Sequence, residues 1–434
     1  MTLGSYFHRL LASYVRVSVR PDDRVVLVDP DDVFRDRFPR GDIVRVCTSK
    51  SPDGFAGVRE WRPDYVVLNG TVHYTSDIQA LLERLHTEVC QPSTRVLIIF
   101  YSTLWSPVLR LAIKLGLRRT QPEANWVAPE DVVNLVLLSD FEVVRTESRV
   151  LCPIWLPLVS GFANTYLSQF PVARLFNLLN IVVVRPVGPT ALPERPSVSV
   201  VVPARNEEGN IENIIARVPR MGPDDELIFI EGHSTDGTWA AINRAQQAHA
   251  GDRQVVVARQ DGIGKGDAVR KGFGLASKDI LMILDADLTV KPEDLPRFYE
   301  ALVSGKGEFI NGSRLVYVMQ DEAMQFFNVL GNKFFAFAFS FVLGQRFKDT
   351  LCGTKVLSRA DYLKIAAHRS YFGDFDPFGD FDLIFGASRL GLKIVEIPIA
   401  YQRRVYGTTN ISRWRHGVIL FRMLMFAAGR LRFL

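Results

Sequence analysis

Residues 280–290 read ILMILDADLTV: apolar residues run straight into two carboxylates, Asp285 and Asp287, one residue apart. A short apolar run after the Lys278-Asp279 break predicts a strand buried on both faces of a parallel sheet. Carboxylates that end such a strand stand in the crevice where open α/β sheets bind ligands. Outward from this point, strand and helix patterns alternate. Residues 198–202 and 227–230 are strand-like. Ile211, Ile214, Ile215 and Val218 recur at helical spacing, 238–248 predicts a helix, 255–257 a strand and 265–276 a helix. This rhythm defines an open, doubly wound α/β sheet.

A DxD pair has three readings. It is a solvated loop, a holder for a divalent cation against a nucleotide diphosphate, or a phosphatase signature. In the last case it resembles the DxDx[TV] pattern of haloacid-dehalogenase-like phosphatases, with Asp285 as nucleophile, Asp287 as acid/base and Thr289 in place. Three upstream loops decide against the phosphatase. They are Pro203-Ala204-Arg205-Asn206-Glu207-Glu208, Glu231-Gly232-His233-Ser234-Thr235-Asp236-Gly237-Thr238 and Asp261-Gly262-Ile263-Gly264-Lys265-Gly266. Each follows a strand, and together they bring acids, a flexible glycine turn and one cation to the same crevice. A nucleotide diphosphate uses all of these. Asn206 and Asp236 also fit plain helix caps.

The totals fit this picture. A chain of 434 residues predicts two domains, and 47% hydrophobic with 23% charged residues describes a globular chain. Four scattered cysteines (Cys47, Cys90, Cys152, Cys352) make no CxxC and point to a reducing compartment. A net charge of +5 is too mild to imply nucleic acid. The opening MTLGSYFHRLL lacks the apolar core of a signal peptide. Residues 150–173 carry no charge, but Pro153, Pro157 and Pro171 interrupt them and argue against a membrane span. A proline-rich stretch near 185–197 reads as a linker.

The four motifs, VVPARNEEGNI, IFIEGHSTDGT, DGIGKGDAVRKGF and LDADL, stand in an order that resembles the family-2 glycosyltransferases of GT-A fold. The resemblance covers residues 198 to about 415, roughly half the chain. Glu231 stands where an aspartate is common, and His233 is unusual. The resemblance implies an inverting hexosyltransferase using a GDP- or UDP-linked sugar. Pro203, Ala204, Asn206, Glu207, Glu231, Asp236, Lys265 and Asp285 would bind the donor nucleotide. Asp285 and Asp287 would hold Mg²⁺ or Mn²⁺.

The resemblance extends downstream. Asp349-Thr350-Leu351-Cys352-Gly353-Thr354-Lys355 is similar to the segment that closes over the acceptor, implicating Asp349, Gly353 and Thr354. FDPFGDFD (375–382) is similar to an acidic motif whose acid, Asp380 or Asp382, serves a hydroxyl acceptor as base; Asp380 is preferred. Arg403-Arg404-Val405-Tyr406-Gly407-Thr408-Thr409-Asn410 resembles the phosphate loop of dolichol-phosphate-mannose synthases and related polyprenyl-phosphate enzymes. Arg404 matches its arginine, while Thr409-Asn410 replaces the usual Ser-Lys, and Arg413 and Arg415 are substitutes for the missing cation.

Residues 326–343 and the arginine-laced tail 418–434 are more apolar than soluble helices need, which suits a membrane interface. With the resemblance, they imply a lipid-phosphate acceptor and a peripheral place on the cytoplasmic face of the plasma membrane. A polysaccharide or glycolipid hydroxyl is the alternative acceptor. The first half, with strands predicted at 24–29, 94–105 and 141–151 and a strand followed by a helix over 65–85, resembles a Rossmann-like class I S-adenosylmethionine methyltransferase. Where a glycine-rich loop is expected it reads Asp29-Pro30-Asp31-Asp32. Cofactor approach needs glycine there, so this half is expected to bind no S-adenosylmethionine and to serve as a scaffold; a bifunctional methyltransferase-glycosyltransferase is the alternative. The expected organisation is 1–185 methyltransferase-like, 186–197 linker, 198–415 GT-A domain and 416–434 amphipathic tail.

Overall fold

Valine- and isoleucine-rich runs become strands throughout the chain, as β-branched side chains favour a pleated, packed surface. The structure, a computed structural model, describes residues 3–38, 42–116, 125–188, 192–314, 326–369, 381–400, 402, 406 and 413–433. The chain divides into two compact units, Met1–Gly188 with Gly429–Leu434, and Pro189–Ala428.

The first unit carries strands β1 (Val25–Val28), β2 (Val44–Cys47), β3 (Tyr65–Asn69), β4 (Arg95–Tyr101), β5 (Phe141–Arg149) and β6 (Leu179–Pro186), in the order β2-β1-β3-β4-β6-β5. β1 to β4 run parallel, and β6 lies antiparallel between β4 and β5. The acids after β1 are used locally. Asp29, at φ 46°, accepts from Thr48 Oγ1 (2.8 Å) and Ser49 N (3.1 Å), and Asp31 caps the next helix through Phe34 N (2.8 Å). The uncharged stretch folds into short helices, Val159–Thr165 and Pro171–Arg174. Among the described residues no helix is long and apolar enough to cross a membrane.

The second unit carries β7 (Val198–Ala204), β8 (Glu226–Glu231), β9 (Gln254–Arg259), β10 (Ile280–Ile283), β11 (Phe309–Ser313), β12 (Lys355–Ser358) and β13 (Ile394–Pro398), in the order β13-β11-β12-β10-β7-β8-β9. β10, β7, β8 and β9 run parallel, as the alternating pattern predicts. The expectation of a parallel sheet on both sides of the DxD strand is corrected: β12 lies antiparallel to both β10 and β11. The sheet is therefore mixed, because the chain after Asp349 turns at the sheet edge and re-enters beside β10. Val200, Val202, Leu227, Phe229, Met282 and Phe298 are fully buried around this sheet. Each such side chain contributes about 1.5–3 kcal/mol.

The opening of β7 hangs on one carboxylate. Asp225 accepts from Val198 N (2.8 Å), Met221 N (2.6 Å) and Gly222 N (2.9 Å). Asp225→Ala leaves these amides without their acceptor, and urea denaturation is expected to show a loss of about 1–3 kcal/mol. An unchanged midpoint would refute this role.

Candidate active site

Parallel strands deliver their carboxyl ends to one edge, so the loops that follow β7, β8, β9 and β10 meet there. The register brings Ala204 beside Glu231, and Glu231 beside Arg259. Hydrogen bonds then tie loop to loop. Asn206, in the left-handed region at φ 56°, accepts on Oδ1 from Thr235 N (2.8 Å), and its own N donates to Ser234 Oγ (3.1 Å). Asn206 thus links two loops and caps no helix. Glu207 is buried, with Oε2 held by Asn210 Nδ2 (2.8 Å) and its N donating to Thr238 Oγ1 (2.9 Å). Glu231 is buried, accepting from Ser234 N at 2.5 Å, with Arg259 at 3.6 Å.

Asp236 accepts from Thr238 N (3.0 Å) and the Thr238 hydroxyl, one residue before Gly237, which stands at the cap of the helix Thr238–Ala248. Burial raises its carboxyl, but these bonds and the Glu208 amide outweigh burial and hold it below the usual carboxylate range. His233, at φ 55°, reaches Gly262 O (3.2 Å) and joins the second loop to the third.

The third loop ends at Gly264, whose φ of 94° starts the helix Lys265–Leu275 so that Lys265 is its first residue. Lys265 Nζ lies 2.7 Å from Asp285 Oδ1. Burial pushes the Asp285 carboxyl up. Lys265 first, then Lys355 and Arg314, more than reverse this and keep it below the ordinary range. Asp287 is half-buried and accepts on Oδ1 from Thr289 Oγ1 (2.7 Å) and Thr289 N (3.1 Å). Thr289, which also suits the phosphatase pattern, here sets the angle of Asp287.

Gly353 packs against this pair. A Cβ built there would strike Asp285 Oδ2 and Lys265 Nζ, so any larger residue would have to displace the pair. Asp349 lies deeper and fully buried. Arg314 clamps it with three bonds, N to Oδ2 (3.0 Å), Nε to Oδ2 (2.7 Å) and a terminal nitrogen to Oδ1 (2.9 Å), and Leu351 N adds a fourth at 3.0 Å. The carboxylate of Asp349 therefore shapes the turn into β12. Burial would raise its carboxyl, and Arg314 with the backbone bonds brings it below the usual value. Thr354 is wholly buried, and its hydroxyl has no partner among the described residues.

Of the downstream acids, Asp382 sits in the first turn of the helix Phe381–Arg389 and accepts from Arg369 Nε at 3.2 Å. Asp380 and Arg404 lie outside the described residues, and Arg413 and Arg415 are placed only as backbone, in the helix Arg413–Ala427. Tyr406 packs its ring against Gly209 and hydrogen-bonds Asp236. Desolvation, then the charges of Asp236, Glu208 and Glu207, push its phenol upward. Gln402 N donates to Thr289 O (2.9 Å), beside the DxD turn. Sequence patterns assign no role to Arg314, Arg369 or Tyr406. Arg314, directly after β11, is the kind of signal that points to a buried acid.

This arrangement gathers two carboxylates and one lysine at the carboxyl ends of the parallel strands, beside loops that hydrogen bonds tie to one another. A family model for glycosyl transferase family 2 matches residues 199–363. Glycosyltransferase AglJ of Haloferax volcanii is 30% identical over 232 residues, covering 53% of this chain and 71% of that protein. A dolichol-phosphate mannosyltransferase of Pyrococcus furiosus is 33% identical over 138 residues, covering 31% of this chain and 38% of that protein. A solved structure of glucosyl-3-phosphoglycerate synthase from Mycobacterium tuberculosis aligns with 54% of this chain and 80% of that chain, at 21% identity and a TM-score of 0.39. The chain belongs to glycosyl transferase family 2 and is a glycosyltransferase.

Two substitutions test the geometry. Gly353→Ala is expected to leave thermal stability within about 1–3 kcal/mol while lowering sugar transfer by roughly a hundredfold, since the Lys265–Asp285 pair must move. Full activity in Gly353→Ala would count against the site. Arg314→Ala strands a buried carboxylate and is expected to cost about 3–5 kcal/mol in chemical denaturation at neutral pH. Because the folded Asp349 pKa is depressed, its stabilisation is complete at neutral pH. It is lost only as pH falls through that value, below the ordinary 3.8.

Proposed function

We propose that this chain transfers a hexose, with inversion, from a GDP- or UDP-linked sugar to a polyprenyl phosphate. The carrying observation is the floor of the crevice: Lys265, Asp285, Asp287 and Gly353 meet beneath loops already cross-linked through Asn206, Glu207, Glu231 and Asp236. Pro203, Ala204 and these loop residues would face the base and ribose, and Lys265 the diphosphate.

The donor set suits a hard divalent ion, because Mg²⁺ characteristically takes one or two carboxylates and completes its shell with substrate phosphates. Asp287 would be the principal ligand of Mg²⁺ or Mn²⁺, with Asp285 shared between the ion and Lys265. When bound, the ion neutralises charge on the departing diphosphate. In the transfer an acceptor phosphate oxygen bonds to the anomeric carbon from the far face. The bond from that carbon to the diphosphate breaks, and its electron pair leaves with the diphosphate. The acceptor is already an anion, so no proton has to be removed.

Three observations support a lipid phosphate. A relative is named as a dolichol-phosphate mannosyltransferase. Asp382 is engaged by Arg369, which suits an acceptor that needs no base. The residues around 326–343 and 416–434 are apolar with interleaved cations. Arg404, Arg413 and Arg415 would receive the phosphate, and Gly353 and Thr354 would line its approach. These segments would hold the protein peripherally at the cytoplasmic face of the membrane. In the same reading, residues 1–185 form a Rossmann-like, methyltransferase-type scaffold without cofactor, joined through 186–197 to a GT-A domain at 198–415. The local use of Asp29 and Asp31 favours the scaffold.

Calorimetric titration of UDP and GDP, with Mn²⁺ and then with chelator, tests the reading. One nucleotide is expected to bind only with metal, and Asp287→Ala is expected to weaken it by at least about tenfold. Binding that ignores both metal and Asp287 would overturn it.

A further inference from the structure

The segment 152–178 of the Met1–Gly188 unit is built inside out. Its polar side chains face inward: Ser160, Asn164, Ser168, Gln169 and Asn177 are each 2% exposed or less. Their donors bond one another and the local backbone, while Gln169 Oε1 and Asn177 Oδ1 have no partner among the described residues. Asn164 Oδ1 accepts from Cys152 N (2.8 Å), and its Nδ2 donates to Cys152 O (2.7 Å). Ser160 Oγ donates to Leu156 O (2.8 Å), Gln169 Nε2 to Ser168 Oγ (2.8 Å), and Asn177 Nδ2 to Ser168 O (2.9 Å).

Apart from Leu178, the large apolar side chains of the same segment face outward. Leu158 is 92% exposed and Val172 73%, and Trp155, Phe162, Phe170 and Leu175 are exposed with them. The helix Ser106–Lys114 adds to this surface. It has no buried residue, and it exposes Val108 and Leu111. Trp105, just before it, fastens it to the segment by donating from Nε1 to Phe176 O (2.8 Å). A surface of this extent marks a docking site. The inverted pattern needs an apolar partner, since water would favour the opposite arrangement.

Charge identifies the partner. Residues 95–122 and 148–193 contain no aspartate or glutamate, while Arg110 and Lys114 stand exposed on the helix between the apolar positions. Aromatic and aliphatic side chains with cations and no acids match the interface of an anionic bilayer. We infer that this face inserts shallowly into anionic membrane and seats the Met1–Gly188 unit there. The inference deepens the peripheral association proposed above. It assigns it to a surface other than 326–343 and 416–434.

The test uses the full chain and vesicles of phosphatidylcholine, with or without phosphatidylglycerol. Wild type is expected to co-sediment with the anionic vesicles. The double variant Leu158→Ser/Val172→Ser, altered only at exposed positions, is expected to partition at least about tenfold less with unchanged thermal unfolding. Arg110→Gln/Lys114→Gln is expected to lose the preference for anionic lipid. No sedimentation of wild type, or equal partitioning of the serine variant, overturns the inference. So does a wild-type dimer in sedimentation velocity that the serine variant dissociates, since the occupant is then a second copy. Nucleotide titration of the same preparations separates this result from the sugar-transfer reading: lost nucleotide binding bears on that reading, and lost vesicle binding on this one.

Discussion

The carboxylate of Asp285 governs the second unit. It closes a strand whose other residues, Ile280 to Leu284, are wholly buried and apolar. A charge in such a place is costly unless a counter-charge accompanies it, because desolvation takes several kcal/mol per ion. Lys265 supplies that counter-charge, and it can do so because Gly264 turns the backbone into a helix one residue earlier. Gly353 leaves the room the pair occupies. Three segments far apart in the chain are thus held around one charge. One layer deeper, Asp349 and Arg314 repeat the device and fasten the turn into β12.

Much of this was legible in the residues. Apolar runs bounded by polar loops marked β7, β8 and β10, because strands buried on both faces leave little else to read, and the short run VVV marked the edge strand β9. The helices Thr238–Ala248 and Lys265–Leu275 fell within a residue of expectation. Strand β12 was harder. Its four residues, KVLS, include a lysine that is wholly buried only because Cys352 O accepts from it and carboxylates lie near. Sequence alone makes that lysine look like a solvent-facing break. β2 was hidden because its middle residues are exposed and the strand lies at the sheet edge.

Residue types at the carboxyl ends of β7 to β10 were legible, but their connections were not. Asn206 suits a helix cap by composition, and only its left-handed backbone shows that it braces a neighbouring loop. Asp349 reads as a polar residue facing a ligand until Arg314, far away in sequence, is seen across from it. Long-range pairing of charges leaves no periodic trace, whereas burial of apolar faces does. The segment 152–178 shows the same limit in reverse. Its composition is that of a core, yet proline breaks and inward-facing polar side chains turn most of its large apolar residues outward.

The reversed direction of β12 has a consequence for how such a chain can change over time. Because the strand runs back beside β10, the backbone at 353 is pressed against the acid at 285. A larger residue at 353 cannot be accepted while Asp285 and Lys265 keep their places, and a longer acid at 285 would need still more room. The three positions are therefore locked as one unit of inheritance.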